Sequence, residues 1–221
     1  MIFPPDGLYA ITNVLPGTEP NHLASQVVQA ISGGAVMIQY RDKIHGPAER
    51  RQFAAALQTI CAQLGAPLII NDEIELAAEV GAAGVHLGKD DADVSSARAR
   101  LGSSAIIGVS CYNSFERAAT ATEQRASYVA FGSMFPSQTK PNAVRADINL
   151  ITRARKELTI PIAAIGGIST QNAAMVIDAG AHWVAVVGGI FGGDDIESNA
   201  RAFAQLFAKR DKAPASAPRS R

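Results

Sequence analysis

The chain of 221 residues is 48% hydrophobic and 18% charged, and its 20 basic and 20 acidic side chains leave no formal net charge. Such a length and composition are typical of a globular protein with one sizeable core. Because the charges balance, no overall basic field attracts nucleic acid or an anionic membrane, and we expect neither as a partner. The apolar runs are too short to span a bilayer, and the first residues lack the pattern of a signal peptide. We therefore expect a protein without a membrane anchor or leader peptide.

The cysteine usage bears on the cellular compartment. Cys61 and Cys111 are the only two cysteines, and they show no metal-binding spacing. Such usage is typical of a reducing environment, so we expect a cytoplasmic protein. The sequence leaves the oligomeric state open, a homo-oligomer included.

Short apolar segments alternate with longer Ala-rich amphipathic segments along the chain, which predicts strands and helices in turn. The predicted strands are 7–13, 35–40, 67–71, 83–87, 105–110, 127–132, 161–165 and 183–187. The predicted helices are 20–32, 47–64, 73–80, 93–101, 114–124, 147–157, 170–179 and 196–208. This uninterrupted alternation predicts an α/β fold, a single closed (β/α)8 TIM barrel, and the near-continuous hydrophobic strands agree with a parallel sheet. An open doubly wound sheet is the alternative.

Local signals define the ends of the elements and of the domain. Ser114 and Thr170 have the chemistry of N-cap residues. We expect one catalytic barrel domain over residues 1–210. The stretch 211–221 is rich in Pro, Ala and Ser and lacks core-forming residues, so we predict a disordered tail there.

In a parallel barrel the active site forms at the C-terminal ends of the strands, so the residues that follow each strand are the candidates. Gln39, Arg41 and Lys43 alternate at the end of the second strand and share one face while the chain stays extended. An amide and two cations on one face suit a diphosphate. The alternative is a surface charge cluster balanced by Asp42.

Carboxylates follow the next two strands. Asp72 and Asp91 suit Mg²⁺, which usually takes one or two protein carboxylates together with substrate phosphates. The alternative for Asp72 is helix capping, as expected of Asp93. Spacing alone does not decide between Asp90 and Asp91.

A long loop follows the sixth strand and contains Pro136 and Pro141, with polar residues between them. Ordered loops of this length are usually functional. Gly166-Gly167 and Gly188-Gly189 end the last two strands, where barrels often bind phosphate. Nucleophilic catalysis by Cys111 is not expected, because no paired histidine is evident.

Together these segments resemble the thiamine-phosphate synthase family. The matching pieces are Gln39-x-Arg41-x-Lys43, Asn71-Asp72, Val85-His86-Leu87-Gly88-x-x-Asp91, Gly108-Val109-Ser110, Phe135-Pro136-Ser137-Gln138-Thr139-Lys140, Ile165-Gly166-Gly167-Ile168 and Val184 to Gly189. Each piece is short, but their order along the chain is the family's order.

The resemblance implies a role for each matched residue. The pyrimidine diphosphate would be bound by Gln39, Arg41, Lys43, Asn71, Ser110 and Lys140, with Arg41, Ser110 and Lys140 contributing to catalysis. Asp72 and Asp91 would hold Mg²⁺. Ser137 would be a further substrate-binding residue, Thr139 would contact the thiazole phosphate, and the backbone N–H groups of Gly167, Val187 and Gly188 would bind the same phosphate.

In the family reaction, diphosphate leaves the pyrimidine methylene carbon, and the thiazole nitrogen attacks the resulting cation. The chain departs from the family pattern at Lys89-Asp90, at Tyr112-Asn113, at Ser137 and at Gly188. The alternatives are a thiazole tautomerase-like paralogue, which would need a histidine near Tyr112, and a non-catalytic barrel that binds thiamine or phosphate.

Overall fold

The computed structural model describes residues 3–89, 91–136, 144–193 and 195–212. Its strands are β1 (Gly7–Ile11), β2 (Ala35–Tyr40), β3 (Leu68–Asn71), β4 (Gly84–Leu87), β5 (Ile106–Tyr112), β6 (Tyr128–Phe131), β7 (Ile162–Ile165) and β8 (Trp183–Val186). Its helices are α1 (Pro20–Ser32), α2 (Pro47–Leu64), α3 (Ile74–Val80), α4 (Val94–Leu101), α5 (Phe115–Glu123), α6 (Ile148–Glu157), α7 (Ala173–Asp178), α8 (Gly188–Phe191) and α9 (Ile196–Lys212). None of these helices combines the length and the hydropathy that a membrane-spanning segment requires.

The strands form a closed parallel barrel in sequence order. The barrel closes through β8, in which Trp183 lies opposite Gly7 of β1. The predicted (β/α)8 barrel is therefore confirmed, and the open doubly wound sheet is excluded. Each of the eight predicted strands is present, with its bounds within two residues of the prediction.

The differences from the prediction lie at helix ends. Ser114 caps α5 as expected, because its hydroxyl accepts a hydrogen bond from the Arg117 N–H at 3.1 Å. Thr170 caps no helix: α7 begins only at Ala173, and Asn172 takes the N-cap position. The short helix α8 was not predicted, and α9 continues to Lys212. The predicted disordered tail, 211–221, is wrong at its first two residues, which continue α9, and residues 213–221 lie outside the described residues.

Side chains fill both sides of the barrel wall, following the two-residue alternation of strands. The outward positions pack against the surrounding helices and form the larger hydrophobic cluster. The lumen is filled by a second cluster that includes Tyr9, Met37, Ile69, Tyr128 and Trp183. Polar inward positions, at Gln39 and His86, are buried as well.

Candidate active site

Charged residues from three neighbouring strands meet at one edge of the barrel. The ammonium of Lys43, after β2, lies 2.5 Å from Oδ2 of Asp72, after β3. The Asp91 carboxylate, after β4, accepts a hydrogen bond from the Gly88 N–H at 2.6 Å. Asp72 has a φ of 65°, a left-handed conformation that an aspartate adopts at a local cost, often at functional sites.

The carboxyl groups of Asp72 and Asp91 interact. Partial burial and the neighbouring carboxyl group of Asp72 raise the pKa of Asp91 above its ordinary value, although the Gly88 N–H and Lys43 oppose the shift. Two neighbouring carboxyl groups form a natural site for a cation. The part of the chain that the structure describes contains no cluster of three or more metal-binding side chains, so it offers two ligands here.

Of the two aspartates considered as helix caps, one caps a helix and the other does not. Asp93 caps α4, since its carboxylate accepts a hydrogen bond from the Ser96 N–H at 2.7 Å. Asp72 does not cap α3, whose N-cap position is Glu73. Asp72 is thus available to the site. Asp90, the alternative to Asp91 as a metal ligand, lies outside the described residues.

Gln39 and Ser110 lie within the barrel mouth rather than on its rim. Gln39 is only 2% exposed, and its amide nitrogen donates a hydrogen bond to the Tyr9 hydroxyl at 2.7 Å. The Ser110 hydroxyl lies 2.8 Å from Nε2 of His86. His86 is therefore hydrogen-bonded and buried, as expected of a core histidine, and it also contacts a predicted substrate-binding residue.

A turn that begins at Asp42 fixes the backbone next to Arg41 and Lys43. The buried carboxylate of Asp42 accepts hydrogen bonds from the N–H groups of Ile44 and His45 at 2.8 and 3.1 Å. It also accepts one from the Tyr40 hydroxyl at 2.8 Å. Burial alone would raise the pKa of Asp42, but these donors hold it below its ordinary value.

Asp42 is consequently an organiser of this turn. The sequence analysis considered it only as a counter-charge to its neighbours. Its position, next to a strand end and directly before the turn into α2, is the signal that could have identified it. The guanidinium of Arg41 makes no hydrogen bond or ion pair with the rest of the described chain, so nothing there neutralises its charge.

Arg117 is a second residue that sequence reasoning missed. Its Nε donates to the Ser110 carbonyl at 2.8 Å, and a terminal nitrogen donates to the Gly88 carbonyl at 3.0 Å. Arg117 thereby joins the end of β5 to the loop that holds Asp91. A cation in the first turn of a helix opposes the helix dipole, and this unfavourable placement is the only sequence signal.

The loop after β6 is anchored where it leaves and rejoins the barrel. The Ser133 N–H donates to the Val144 carbonyl at 3.0 Å, and the Phe135 N–H donates to the Gly166 carbonyl at 2.9 Å. Gly167 has a φ of 62°, and a Cβ there would lie 2.3 Å from the Pro136 carbonyl oxygen. Close packing of the two loops therefore requires a glycine at this position. The predicted residues Ser137, Thr139 and Lys140 lie outside the described residues.

The remaining predicted residues also lie at strand ends. Asn71 is the last residue of β3, Val187 follows β8, and Gly188 begins α8. A Cβ on Gly188 would meet no atom within 4 Å, so space adjoins this backbone. Cys111 is buried, and burial raises the pKa of its thiol to about 12, which makes it inert as a nucleophile.

The chain is similar to known proteins over most of its length. Residues 8–190 match the family model described as thiamine monophosphate synthase. The chain is 53% identical over 203 residues to the thiamine-phosphate synthase of Nitrosococcus oceani, covering 91% of this chain and 92% of that protein. It is 50% identical over 214 residues to the thiamine-phosphate synthase of Methylococcus capsulatus, covering 96% and 94%. A solved structure, thiamine phosphate pyrophosphorylase from Pyrococcus furiosus, matches with a TM-score of 0.83 at 28% identity, covering 92% and 96%.

Proposed function

This chain belongs to the thiamine monophosphate synthase family and acts as a thiamine-phosphate synthase, a transferase of thiamine biosynthesis, and we propose that it joins an aminopyrimidine diphosphate to a thiazole phosphate or its carboxylated form. Diphosphate leaves the pyrimidine methylene carbon, and the thiazole nitrogen attacks the cation that the aminopyrimidine ring stabilises. The products are thiamine phosphate and diphosphate, and the carboxylated thiazole would release CO2 as a third product.

The observation that carries this proposal is the cluster of Lys43, Asp72 and Asp91, together with the buried Gln39 and the half-buried Ser110 in the barrel mouth. It combines a charged edge suited to a diphosphate with neutral hydrogen-bonding groups suited to a ring. Gln39, Asn71 and Ser110 would then orient the pyrimidine diphosphate. No activated nucleophile is found among the described residues around this cluster, which agrees with a reaction that needs positioning and charge neutralisation.

The carboxylate pair fits Mg²⁺. Two carboxylates at adjoining strand ends, with the pKa of Asp91 raised by burial and by the other acid, form the kind of partial ligand set that Mg²⁺ completes with water and phosphate oxygens. When bound, Mg²⁺ supplies neutralisation of the diphosphate charge. Lys43 and Arg41 add positive charge at the same edge.

The second substrate would lie on the opposite side, between the loops after β6, β7 and β8. Thr139, with Ser137, would bind the thiazole phosphate together with the backbone N–H groups of Gly167, Val187 and Gly188. Lys140 would reach the diphosphate. The packing of Gly167 against the Pro136 carbonyl supports this placement, because the loop that carries Thr139 starts beside the β7 loop.

A coupling assay tests the proposal. The purified protein receives both substrates, with and without Mg²⁺, and thiamine phosphate is quantified. We expect metal-dependent product, and we expect Lys140→Ala to lower turnover greatly at unchanged melting temperature. A folded protein that makes no product would contradict the proposed substrates, and a near-normal rate in Lys140→Ala would remove Lys140 from the site.

A further inference from the structure

A continuous chain of hydrogen bonds crosses the barrel lumen beneath the site. From the amide nitrogen of Gln39, it passes to the Tyr9 hydroxyl at 2.7 Å and then to the Tyr128 hydroxyl at 2.9 Å. It continues to Nδ1 of His86 at 2.9 Å, and from Nε2 of the same ring to the Ser110 hydroxyl at 2.8 Å. The two ends are residues proposed to bind substrate, whereas the three inner members have no role in the proposed chemistry.

Each inner member is held in its neutral form. Tyr9 and Tyr128 are at most 1% exposed, and burial raises the pKa of both phenols. His86 is buried, and each of its ring nitrogens lies within hydrogen-bond distance of a hydroxyl oxygen, an environment that disfavours a charged imidazole. At neutral pH each phenol therefore carries one hydrogen, and the imidazole carries a hydrogen on one nitrogen only.

The Gln39 amide gives the chain a direction. Since its nitrogen donates to the Tyr9 oxygen, the Tyr9 hydrogen remains for the Tyr128 oxygen. The Tyr128 hydrogen then goes to Nδ1 of His86. The opposite direction would leave the buried Tyr9 hydrogen without an acceptor among the hydrogen bonds of the described residues, and an unsatisfied buried donor is costly.

We propose that Tyr9, Tyr128 and His86 act as positioning residues. Their hydrogen bonds all run in one direction, and this series, the relay, keeps the His86 hydrogen on Nε2. Nε2 then donates to the Ser110 oxygen, so the Ser110 hydroxyl hydrogen is directed away from His86. Ser110 becomes an obligatory donor to an acceptor atom of the pyrimidine diphosphate. This catalytic role rests on the function proposed above, whereas the state of the imidazole does not.

The surroundings of the relay support a positioning role. The Tyr128 ring packs edge-on against Trp183, with centroids 5.4 Å apart, and nearly parallel to His86, with centroids 5.6 Å apart. On the other side of Ser110, its carbonyl accepts a hydrogen bond from Arg117 at 2.8 Å. Both the backbone and the hydroxyl of Ser110 are therefore held by neighbours. Such preorganised donors cost little reorganisation when substrate binds.

The first test is a nitrogen NMR measurement on the intact protein labelled at its histidines. We expect His86 to show a protonated Nε2 and an unprotonated Nδ1 at neutral pH, assigned by comparison with His86→Gln. A protonated Nδ1 in the wild-type protein would overturn the proposal. Because no substrate is needed, this result does not depend on the proposed function.

The second test breaks the relay at its centre. In Tyr128→Phe, Nδ1 of His86 loses its donor, and we expect a mixture of the two imidazole forms. Tyr40→Phe is the matched control, because it removes another buried phenol whose hydrogen bond, to Asp42, lies outside the relay. The control should leave the His86 signals unchanged. An unchanged imidazole state in Tyr128→Phe would overturn the relay, whatever the activity.

A double-mutant cycle shows whether the relay acts through Ser110. We expect Tyr128→Phe to lower kcat/KM for the pyrimidine diphosphate by about tenfold, the effect of one misdirected hydrogen bond. Combined with Ser110→Ala, it should add little further loss. Additive losses would overturn action through Ser110. If Tyr128→Phe does not fold, Tyr9→Phe takes its place in both tests. Absence of product from the wild-type protein would contradict the proposed function alone.

Discussion

The ammonium of Lys43 lies 2.5 Å from the Oδ2 atom of Asp72, which joins a proposed diphosphate ligand to a proposed Mg²⁺ ligand. Lys43 remains more than half exposed, so the pair is accessible from solvent. A metal ion at Asp72 would compete with this ammonium and release it toward the phosphate groups. In the proposed function the two residues would therefore connect metal binding with substrate binding.

We predict that Asp72→Asn lowers kcat/KM by about 100-fold and weakens the dependence on Mg²⁺, since a divalent metal contributes several kcal/mol of charge stabilisation. Turnover measured across a range of Mg²⁺ concentrations tests this. Asp93→Asn is the control, because that residue caps α4 with its side-chain oxygen and asparagine caps equally well. Full activity of the wild-type protein after chelation would contradict a metal role for Asp72 and Asp91.

The buried carboxylate of Asp42 leads to a prediction about stability and substrate affinity. Asp42→Ala leaves the N–H groups of Ile44 and His45 without their acceptor, and we expect a loss of about 2 kcal/mol or more in the free energy of unfolding. The turn would also no longer fix the position of Lys43, so we expect KM for the diphosphate substrate to rise. Asp42→Asn keeps one oxygen acceptor, so its free energy of unfolding should lie between those of the wild-type protein and Asp42→Ala. Urea unfolding and steady-state kinetics measure the two effects; equal stability of all three proteins would be inconsistent with this role.

Gly108 makes room for the relay. A Cβ at this position would lie 2.1 Å from Cζ of Tyr128, whose ring is enclosed by other aromatic side chains. We therefore expect Gly108→Ala to destabilise the fold by about 1–3 kcal/mol, the usual cost of overpacking. Gly188→Ala is the matched control, since no atom lies within 4 Å of its added Cβ. Melting temperatures compare the two; a similar change in both would refute the steric explanation.

The depressed pKa of His86 predicts a pH-dependent stability. Its imidazole is neutral in the folded protein down to about pH 4, whereas in the unfolded chain it takes up a proton near pH 6.5. The unfolded state thus binds more protons between these values, and stability is lost as the pH falls through this window. The shift corresponds to roughly 3 kcal/mol at its lower end.

The comparison of wild type with His86→Gln isolates this contribution from other acids. We expect the difference in their free energies of unfolding to be constant above pH 6.5 and to move in favour of the variant as the pH falls toward 4. Denaturant titrations at several pH values provide the measurement. A difference that stays constant over the whole range would show that His86 titrates normally in the folded protein.

The strands and most helices were predictable because their signals are local. Buried parallel strands are short apolar runs, and α2 ends at Leu64 directly before Gly65, whose φ of 71° suits glycine. The start of α7 was placed too early, because Thr170 resembles a cap and only the neighbouring Asn172 takes that position. The four residues of α8 carry too little periodicity to be recognised as a helix.

The polar residues of the site also have some features that the sequence predicts and others that it does not. The sequence by itself determined that they end successive strands, and therefore that they gather at one edge of the barrel. Only the tertiary structure decided that Asp72 pairs with Lys43 while Asp93 caps a helix, that Asp42 is buried within its own turn, and that His86 joins Tyr128 to Ser110. The physical reason is that strand periodicity specifies which face a residue occupies, whereas the partners of Lys43 and His86 lie on or directly after other strands, and a local pattern fits capping and ligand roles for an aspartate equally well.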